Sequence, residues 1–73
     1  MTVNILDSDL VPTERAHERW PNTFRSRSSA RYLLEHRRTN GLLEHKAVVR
    51  HAGRLYFVAP RLEEWIAARI EAA

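Results

Sequence analysis

Three residues, Pro21, Gly41 and Pro60, divide this chain of 73 residues into segments with different apolar spacing. Proline is excluded from helix interiors because it lacks the backbone N–H, and glycine adopts the left-handed conformation that ends many helices. Helical spacing occurs on both sides of Pro21 and again after Pro60, whereas residues 46–59 are rich in β-branched and aromatic residues. The predicted order is therefore helix, helix, β-hairpin, helix, in one mostly helical α+β domain.

The N-terminal part of the chain is predicted to contain a tail and a short first helix. Residues 1–12 are interpreted as a tail or extended arm, and residues 13–73 as the folded domain. Thr13 is expected to cap the first helix, which places Ala16 and Trp20 on one face at i, i+4. We expect Trp20 to be in the core, and the proline that follows it to end the helix.

The second helix is predicted to follow within a few residues, the spacing of a helix-turn-helix, and to extend to an Asn-Gly stop. Ser26 or Ser28 is the expected N-cap. Ala30, Leu33 and Leu34 form an apolar stripe at i, i+3 and i+4, which should face the core.

Residues 46–59 are predicted to form a two-stranded hairpin around Ala52 and Gly53. Alanine tolerates a positive φ poorly, so we expect a type I turn with a glycine bulge instead of a type I′ turn. Alternation along the second strand places one of Tyr56 and Phe57 in the core and the other outside. An isolated hairpin is marginal in water, so this one is expected to pack on the helices as a wing.

The last helix is predicted to start with Pro60 at its first position. Its expected apolar face consists of Leu62, Trp65, Ile66 and Ile70.

Positive charge is concentrated in the middle of the chain. The net charge is only +3, but eight of the twelve Lys and Arg residues lie between Arg25 and Arg54. The only acidic residues among positions 25–58 are Glu35 and Glu44. Basic charge gathered on one part of a small domain is the electrostatic signature of nucleic-acid binding.

The basic residues of the second helix are the first candidate site. On a helix, Arg27, Arg31 and Arg38 would lie within about 40° of one another, beside the apolar stripe. A helix fits the major groove of B-DNA, where residues near its N-terminus reach base edges. The alternative is a solvated helix face on which Arg31 pairs with Glu35 at i+4.

The hairpin tip is the second candidate site, because Arg50, His51 and Arg54 surround its glycine. Such a tip can lie along the DNA backbone or enter a narrow minor groove, which attracts arginine. The alternative is an ordinary turn made soluble by charge.

Other function classes have little support. The chain has no cysteine for disulfides or zinc-thiolate sites, and its four histidines show no i, i+4 ligand spacing. There is no glycine-rich phosphate loop and no converging acid–base pair, so we expect no enzyme activity, metal or cofactor. The apolar runs are far shorter than the ~20 residues of a membrane span, and the N-terminus does not resemble a signal peptide. A cytoplasmic, nucleoid-associated protein is expected.

From SRSSARYLLEHRRTNG through AVVRHAGRLYFVAPRLEEWIA, the chain resembles small winged-helix DNA-binding proteins. These are the excisionase and AlpA-like group, related to the MerR-type DNA-binding domain. The matching positions are Ser26-Arg27, Leu33, Gly41, the wing at 47–58 and Glu64-Trp65. The resemblance covers roughly residues 13–70. The chain departs from the group in lacking prolines between Gly41 and the first strand, and in its short first helix.

The resemblance implies a protein of a phage or mobile element with one of two roles. An excisionase, or recombination directionality factor, would bind adjacent DNA sites as several copies and bend DNA so that an integrase can excise the element. An AlpA-like protein would regulate transcription of such an element. A small protein–protein adaptor with a basic face is the alternative of another class, and RNA binding is less favoured because no RNA-specific motif appears.

The predicted contacts to double-stranded DNA divide into two sets. Base-proximal contacts are expected from Arg27, Ser28, Ser29 and Arg31. Contacts mainly to phosphates are expected from Arg25, Arg37, Arg38, Arg50 and Arg54, with His51 beside them at the hairpin tip.

Overall fold

A computed structural model of the chain describes residues 6–71, within which three α-helices pack with a three-stranded antiparallel sheet. The helices are α1 (Ala16–Arg19), α2 (Arg27–Glu35) and α3 (Ala59–Arg69), and the strands are β1 (Leu10–Pro12), β2 (Val48–His51) and β3 (Arg54–Val58). The α+β class is therefore confirmed. Residues 1–5 of the predicted arm lie outside the described residues. No helix in the described part of the chain has the length and apolar character needed to cross a membrane.

The sheet has three strands instead of the predicted two, in the order β1-β3-β2. The predicted hairpin is confirmed as β2 and β3, which pair antiparallel. The additional strand, β1, comes from the segment interpreted as a tail and pairs Leu10 with Val58 and Pro12 with Tyr56. Three residues ending in proline carry little local strand signal, so this strand depends on pairing with the hairpin.

The hairpin turn differs from the predicted type. His51 pairs directly with Arg54, so the turn contains only two residues, and both have positive φ: 51° at Ala52 and 78° at Gly53. This is the type I′ geometry, and the predicted type I turn with a glycine bulge is wrong. A type I′ turn matches the right-handed twist of the paired strands. The stability gained from this match exceeds the cost of the positive φ at Ala52.

The first helix is shorter than predicted. Residues Thr13–Arg15 form a single 3-10 turn, which we call the Thr13 turn, and α1 adds one α-helical turn after it. Thr13 is not an N-cap, since no side-chain hydrogen bond caps either turn. Ala16 is fully buried, while Trp20 lies just past the helix end and is half-buried against the core.

Residues 20–26 connect α1 to α2, a longer connection than the predicted break of a few residues. The reason is Phe24, which is fully buried and stacks on Phe57 with ring centroids 5.3 Å apart. The connection therefore contributes to the core instead of merely linking two helices.

Helix α2 starts where predicted but ends early. Ser26 is the N-cap, and its hydroxyl accepts a hydrogen bond from the backbone N–H of Ser29 at 3.3 Å. The helix ends at Glu35, well before Gly41, because side chains of the following loop bind its last carbonyls. The Asn40 amide donates to the Leu33 carbonyl at 2.9 Å, for example.

The core lies between the helices and one face of the sheet. Its buried residues are Ala16, Phe24, Ala30, Leu42, Ala47, Val48, Phe57, Leu62 and Trp65. The predicted core positions of Trp65, Leu62 and one strand aromatic, Phe57, are confirmed. Ile70 is not on the apolar face: α3 ends at Arg69, the backbone becomes extended, and the Ile70 side chain is 71% exposed.

A hydrogen bond connects the loop after α2 to α3. The Trp65 indole N–H donates to the Asn40 carbonyl at 2.9 Å, and a Cβ on Gly41 would lie 3.4 Å from the same nitrogen. Gly41 has a φ of 90°, which L-residues rarely adopt. The glycine therefore provides a backbone turn directly under the tryptophan and does not end the helix, contrary to the prediction.

Candidate nucleic-acid interface

The N-terminal turn of α2 presents most of the predicted base-proximal residues. Arg27, Ser28 and Arg31 are exposed, and Ser29 is half-buried. The Ser29 hydroxyl lies 3.4 Å from the Ser26 hydroxyl, so it shares the cap and is less available than that of Ser28. The backbone N–H groups at this end carry the positive pole of the helix, which favours an anionic ligand.

The arginines of α2 form no ion pair with any residue that the structure describes. Between residues 6 and 71 two ion pairs occur: Arg19 with Glu63 at 4.0 Å and His45 with Glu64 at 3.2 Å. The alternative interpretation of α2, in which Arg31 pairs with Glu35, is therefore not what the structure contains. Exposed guanidinium groups without an ion-pair partner remain available for an external anion.

Arg27 and Arg31 line an open crevice between α2 and the Thr13 turn. Its volume is about 230 Å³, and Thr13, Glu14 and Leu34 complete its walls. Glu14 lines the same crevice as the two arginines and forms no ion pair with either. The crevice is therefore lined by donors from α2 and by a carboxylate acceptor from the Thr13 turn.

The two arginines after α2 are placed differently from the prediction. Arg38 lies in the loop, three residues past the helix end, so it does not extend the stripe of Arg27 and Arg31. Arg37 is half-buried, and its Nη1 donates to the Leu34 carbonyl at 2.7 Å. One guanidinium nitrogen of Arg37 is thus used to cap α2, whereas Arg38 and Arg25 are exposed.

The hairpin tip exposes Arg50, His51 and Arg54, but not on a single face of the sheet. His51 and Arg54 are paired neighbours and share one face, and the His51 ring lies 6.3 Å from that of Tyr56. Arg50 precedes His51, so its side chain leaves the opposite face. The two arginines therefore flank the hairpin on both sides.

The Thr13 turn lies between the two basic elements, since it contacts both α2 and β3. Strand β1 leads directly into this turn and pairs Pro12 with Tyr56 of β3. The additional strand thus connects the hairpin to the N-terminal half of α2.

Tyr32 is an exposed residue of α2 that the sequence did not single out. Its side chain is 60% exposed and its ring lies 4.3 Å from that of His36, whose Nδ1 is 2.9 Å from the Tyr32 carbonyl. A large aromatic on the helix face opposite the apolar stripe was the signal available for finding it. Glu35, also exposed, puts a negative charge at the C-terminal end of the same helix.

Histidine, aspartate and glutamate side chains do not form a group of three or more able to hold a metal ion anywhere in residues 6–71. Comparison of the chain with protein-family profiles, with characterised proteins and with solved structures gives no match.

Proposed function

We propose that this protein binds double-stranded DNA as a winged helix-turn-helix. In this proposal α2 enters the major groove, and the β2–β3 hairpin contacts the adjacent backbone or minor groove. The observation that carries the proposal is the N-terminal half of α2, where Arg27 and Arg31 are exposed and form no ion pair within residues 6–71.

The dimensions and charge of α2 favour duplex DNA over other polyanions. A helix with its side chains is about 10–12 Å across, which fits a major groove about 12 Å wide. The arginine fork binds guanine edges and phosphates in two-point contacts, which suits a role in base reading. Glu35 carries a negative charge at the C-terminal end of α2 and repels phosphates there. Phosphates are therefore expected to approach α2 closely only at its N-terminal end.

The residues of the proposed interface have different roles. Arg27, Ser28, Ser29 and Arg31 would lie near base edges. Arg25, Arg38, Arg50 and Arg54 would contact phosphates, with His51 beside them, while Arg37 would contribute less because it caps α2. Tyr32 joins the proposed set through its exposure on the same helix.

Salt-dependent binding to random duplex DNA tests the proposal. Affinity should fall steeply between about 50 and 200 mM salt, because each phosphate contact releases condensed counterions. Arg31→Ala should weaken binding to a selected site by about 1–3 kcal/mol if Arg31 reads a base. Arg19→Ala, which removes an arginine already paired with Glu63, is the matched control.

Two results would change the proposal in different ways. No duplex binding at low salt would favour the adaptor alternative, in which the basic face meets an acidic protein. Unchanged affinity of Arg31→Ala on the selected site would remove Arg31 from the base-reading set while leaving DNA binding intact.

Within DNA binding, we propose the excisionase role first, with transcriptional regulation as the alternative. This choice rests on the sequence resemblance, which covers the two basic elements and Glu64-Trp65. Footprinting on DNA flanking the gene, and on any nearby integrase gene, tests it. Repeated adjacent footprints with bent DNA would support excision together with an integrase, whereas one promoter footprint would support regulation.

A further inference from the structure

We infer that the crevice between the Thr13 turn and α2 reads the edge of a G·C base pair, with Glu14 as a specificity-determining residue opposite Arg27 and Arg31. The inference rests on the proposed function and deepens it. It names a residue outside α2 and a base preference, neither of which follows from the basic charge alone.

The crevice is lined by side chains of opposite charge. Arg27 and Arg31 carry only donors, and Glu14 carries only acceptors when ionised. A phosphate offers only acceptors, so it would satisfy the arginines and be repelled by Glu14. A ligand that satisfies all three side chains presents acceptors and a donor side by side.

A base-pair edge has this combination in the major groove. Guanine presents the acceptors O6 and N7, and its partner cytosine presents the N4 amino donor. Arginine is the usual partner of the two guanine acceptors, and glutamate accepts from cytosine N4. Adenine instead presents one acceptor and one donor, a pattern matched by an amide side chain.

The crevice leaves space for a ligand beside Glu14, Arg27 and Arg31. The crevice has a volume of about 230 Å³, and Glu14 forms no ion pair with Arg27 or Arg31 across it. Glu14 is exposed, so its carboxylate is accessible to a ligand in the crevice. With two arginines against one glutamate the crevice keeps a net positive charge, so DNA is still attracted to it.

Selection from a pool of randomised duplexes by the full chain tests the inference. The wild-type protein should select a site with one fixed G·C pair. Glu14→Gln should lose about tenfold of the discrimination at that pair, yet bind random duplex more tightly at low salt. Glu18→Gln removes the same charge from an exposed position of α1 and should change neither property.

Several outcomes would overturn the inference. One is a Glu14→Gln protein that keeps the G·C preference, and another is a Glu18→Gln protein that changes in the same way. Selection of an A·T pair at the Glu14-dependent position would indicate instead that Leu34 contacts a thymine methyl group. A wild-type protein that binds all duplexes equally overturns this inference together with the proposed base reading by α2, but leaves duplex binding itself intact. One that binds no duplex overturns the proposed function as a whole.

Discussion

Ala52 occupies a backbone conformation that suits a different residue. Its φ of 51° is in the left-handed region, which costs an L-residue such as alanine roughly 1–2 kcal/mol. Asparagine tolerates this region, and Asn-Gly is the preferred sequence of a type I′ turn. Ala52→Asn should therefore raise the free energy of unfolding by about 1 kcal/mol in thermal or urea denaturation.

Ala67→Asn is the matched control for the turn variant. Ala67 is exposed on α3, where asparagine is a poorer helix former, so this variant should lose about 0.5 kcal/mol. A stabilisation of similar size at both positions would show that the gain at Ala52 does not come from turn geometry.

Asn40 joins three parts of the structure. Its amide donates to the Leu33 carbonyl at 2.9 Å, its side-chain oxygen accepts from the Leu42 N–H at 3.1 Å, and its carbonyl accepts from Trp65. Asn40→Ala removes the two side-chain bonds in a part-buried place and leaves two backbone groups unsatisfied. The variant should lose about 1–3 kcal/mol of unfolding free energy.

Asn22→Ala is the control for Asn40, because Asn22 is exposed in the connection between α1 and α2. Its unfolding free energy should stay within about 0.5 kcal/mol of the wild-type value. If the Asn40 variant were no less stable than this control, the loop after α2 would not depend on the asparagine bonds.

At the scale of one element, two serines at the start of α2 have different roles, one in stability and the other in the proposed DNA binding. Ser26 caps the helix, whereas Ser28 is exposed and makes no capping bond. Ser26→Ala should lower the unfolding free energy by about 1 kcal/mol, since the Ser29 N–H loses its acceptor. Ser28→Ala should leave stability unchanged or slightly raised, and should weaken binding to a selected duplex.

Measuring both variants in thermal melts and in duplex titrations keeps the two roles apart. Equal losses of stability in both would contradict the assignment of Ser26 as the cap. An unchanged affinity of Ser28→Ala for its selected site would remove Ser28 from the predicted contacts.

The elements that sequence predicted correctly are those with a strong local pattern. The stripe of α2, the β-rich hairpin and α3 each carry their signal within a few residues, although α3 begins at Ala59, so Pro60 is its second residue and not the predicted first. Strand β1 and the end of α2 were not predicted, because both depend on distant partners. Pairing with β3 makes Leu10–Pro12 a strand, and Asn40 ends α2 from five residues beyond the helix.

The features of the candidate site also divide into those that local sequence predicts and those that depend on distant partners. Exposure of Arg27 and Arg31 followed from their position beside the apolar stripe, which local periodicity fixes. The crevice with Glu14 did not follow, because it exists only where the Thr13 turn packs against α2. Likewise, the separation of Arg50 from Arg54 across the sheet required the two-residue turn that the sequence had not predicted.

For the whole molecule, the arrangement of charge matters more than the net charge of +3. Some arginines have protein partners: Arg19 pairs with Glu63, and Arg69 lies 4.6 Å from the Trp65 ring centroid. Arg50 and Arg54 form no ion pair in the described part of the chain. Two double variants with the same loss of charge can therefore distinguish a local interface from a general attraction.

Arg50→Gln with Arg54→Gln should reduce the salt dependence of duplex binding. The slope of log affinity against log salt should become shallower by about 0.9 for each phosphate that the variant no longer neutralises. The selected DNA sequence should not change, because phosphate contacts carry no sequence information. Arg19→Gln with Arg69→Gln should leave the slope unchanged, and thermal melts would establish that both proteins remain folded.

The comparison of these slopes decides how the hairpin acts. Equal slopes in the two double variants would mean that net charge governs binding and that the hairpin does not contact DNA. A changed sequence preference in the hairpin variant would assign base reading to the tip. A shallower slope with the same preference is the result expected of a hairpin that holds the backbone while α2 and the crevice beside it read the sequence.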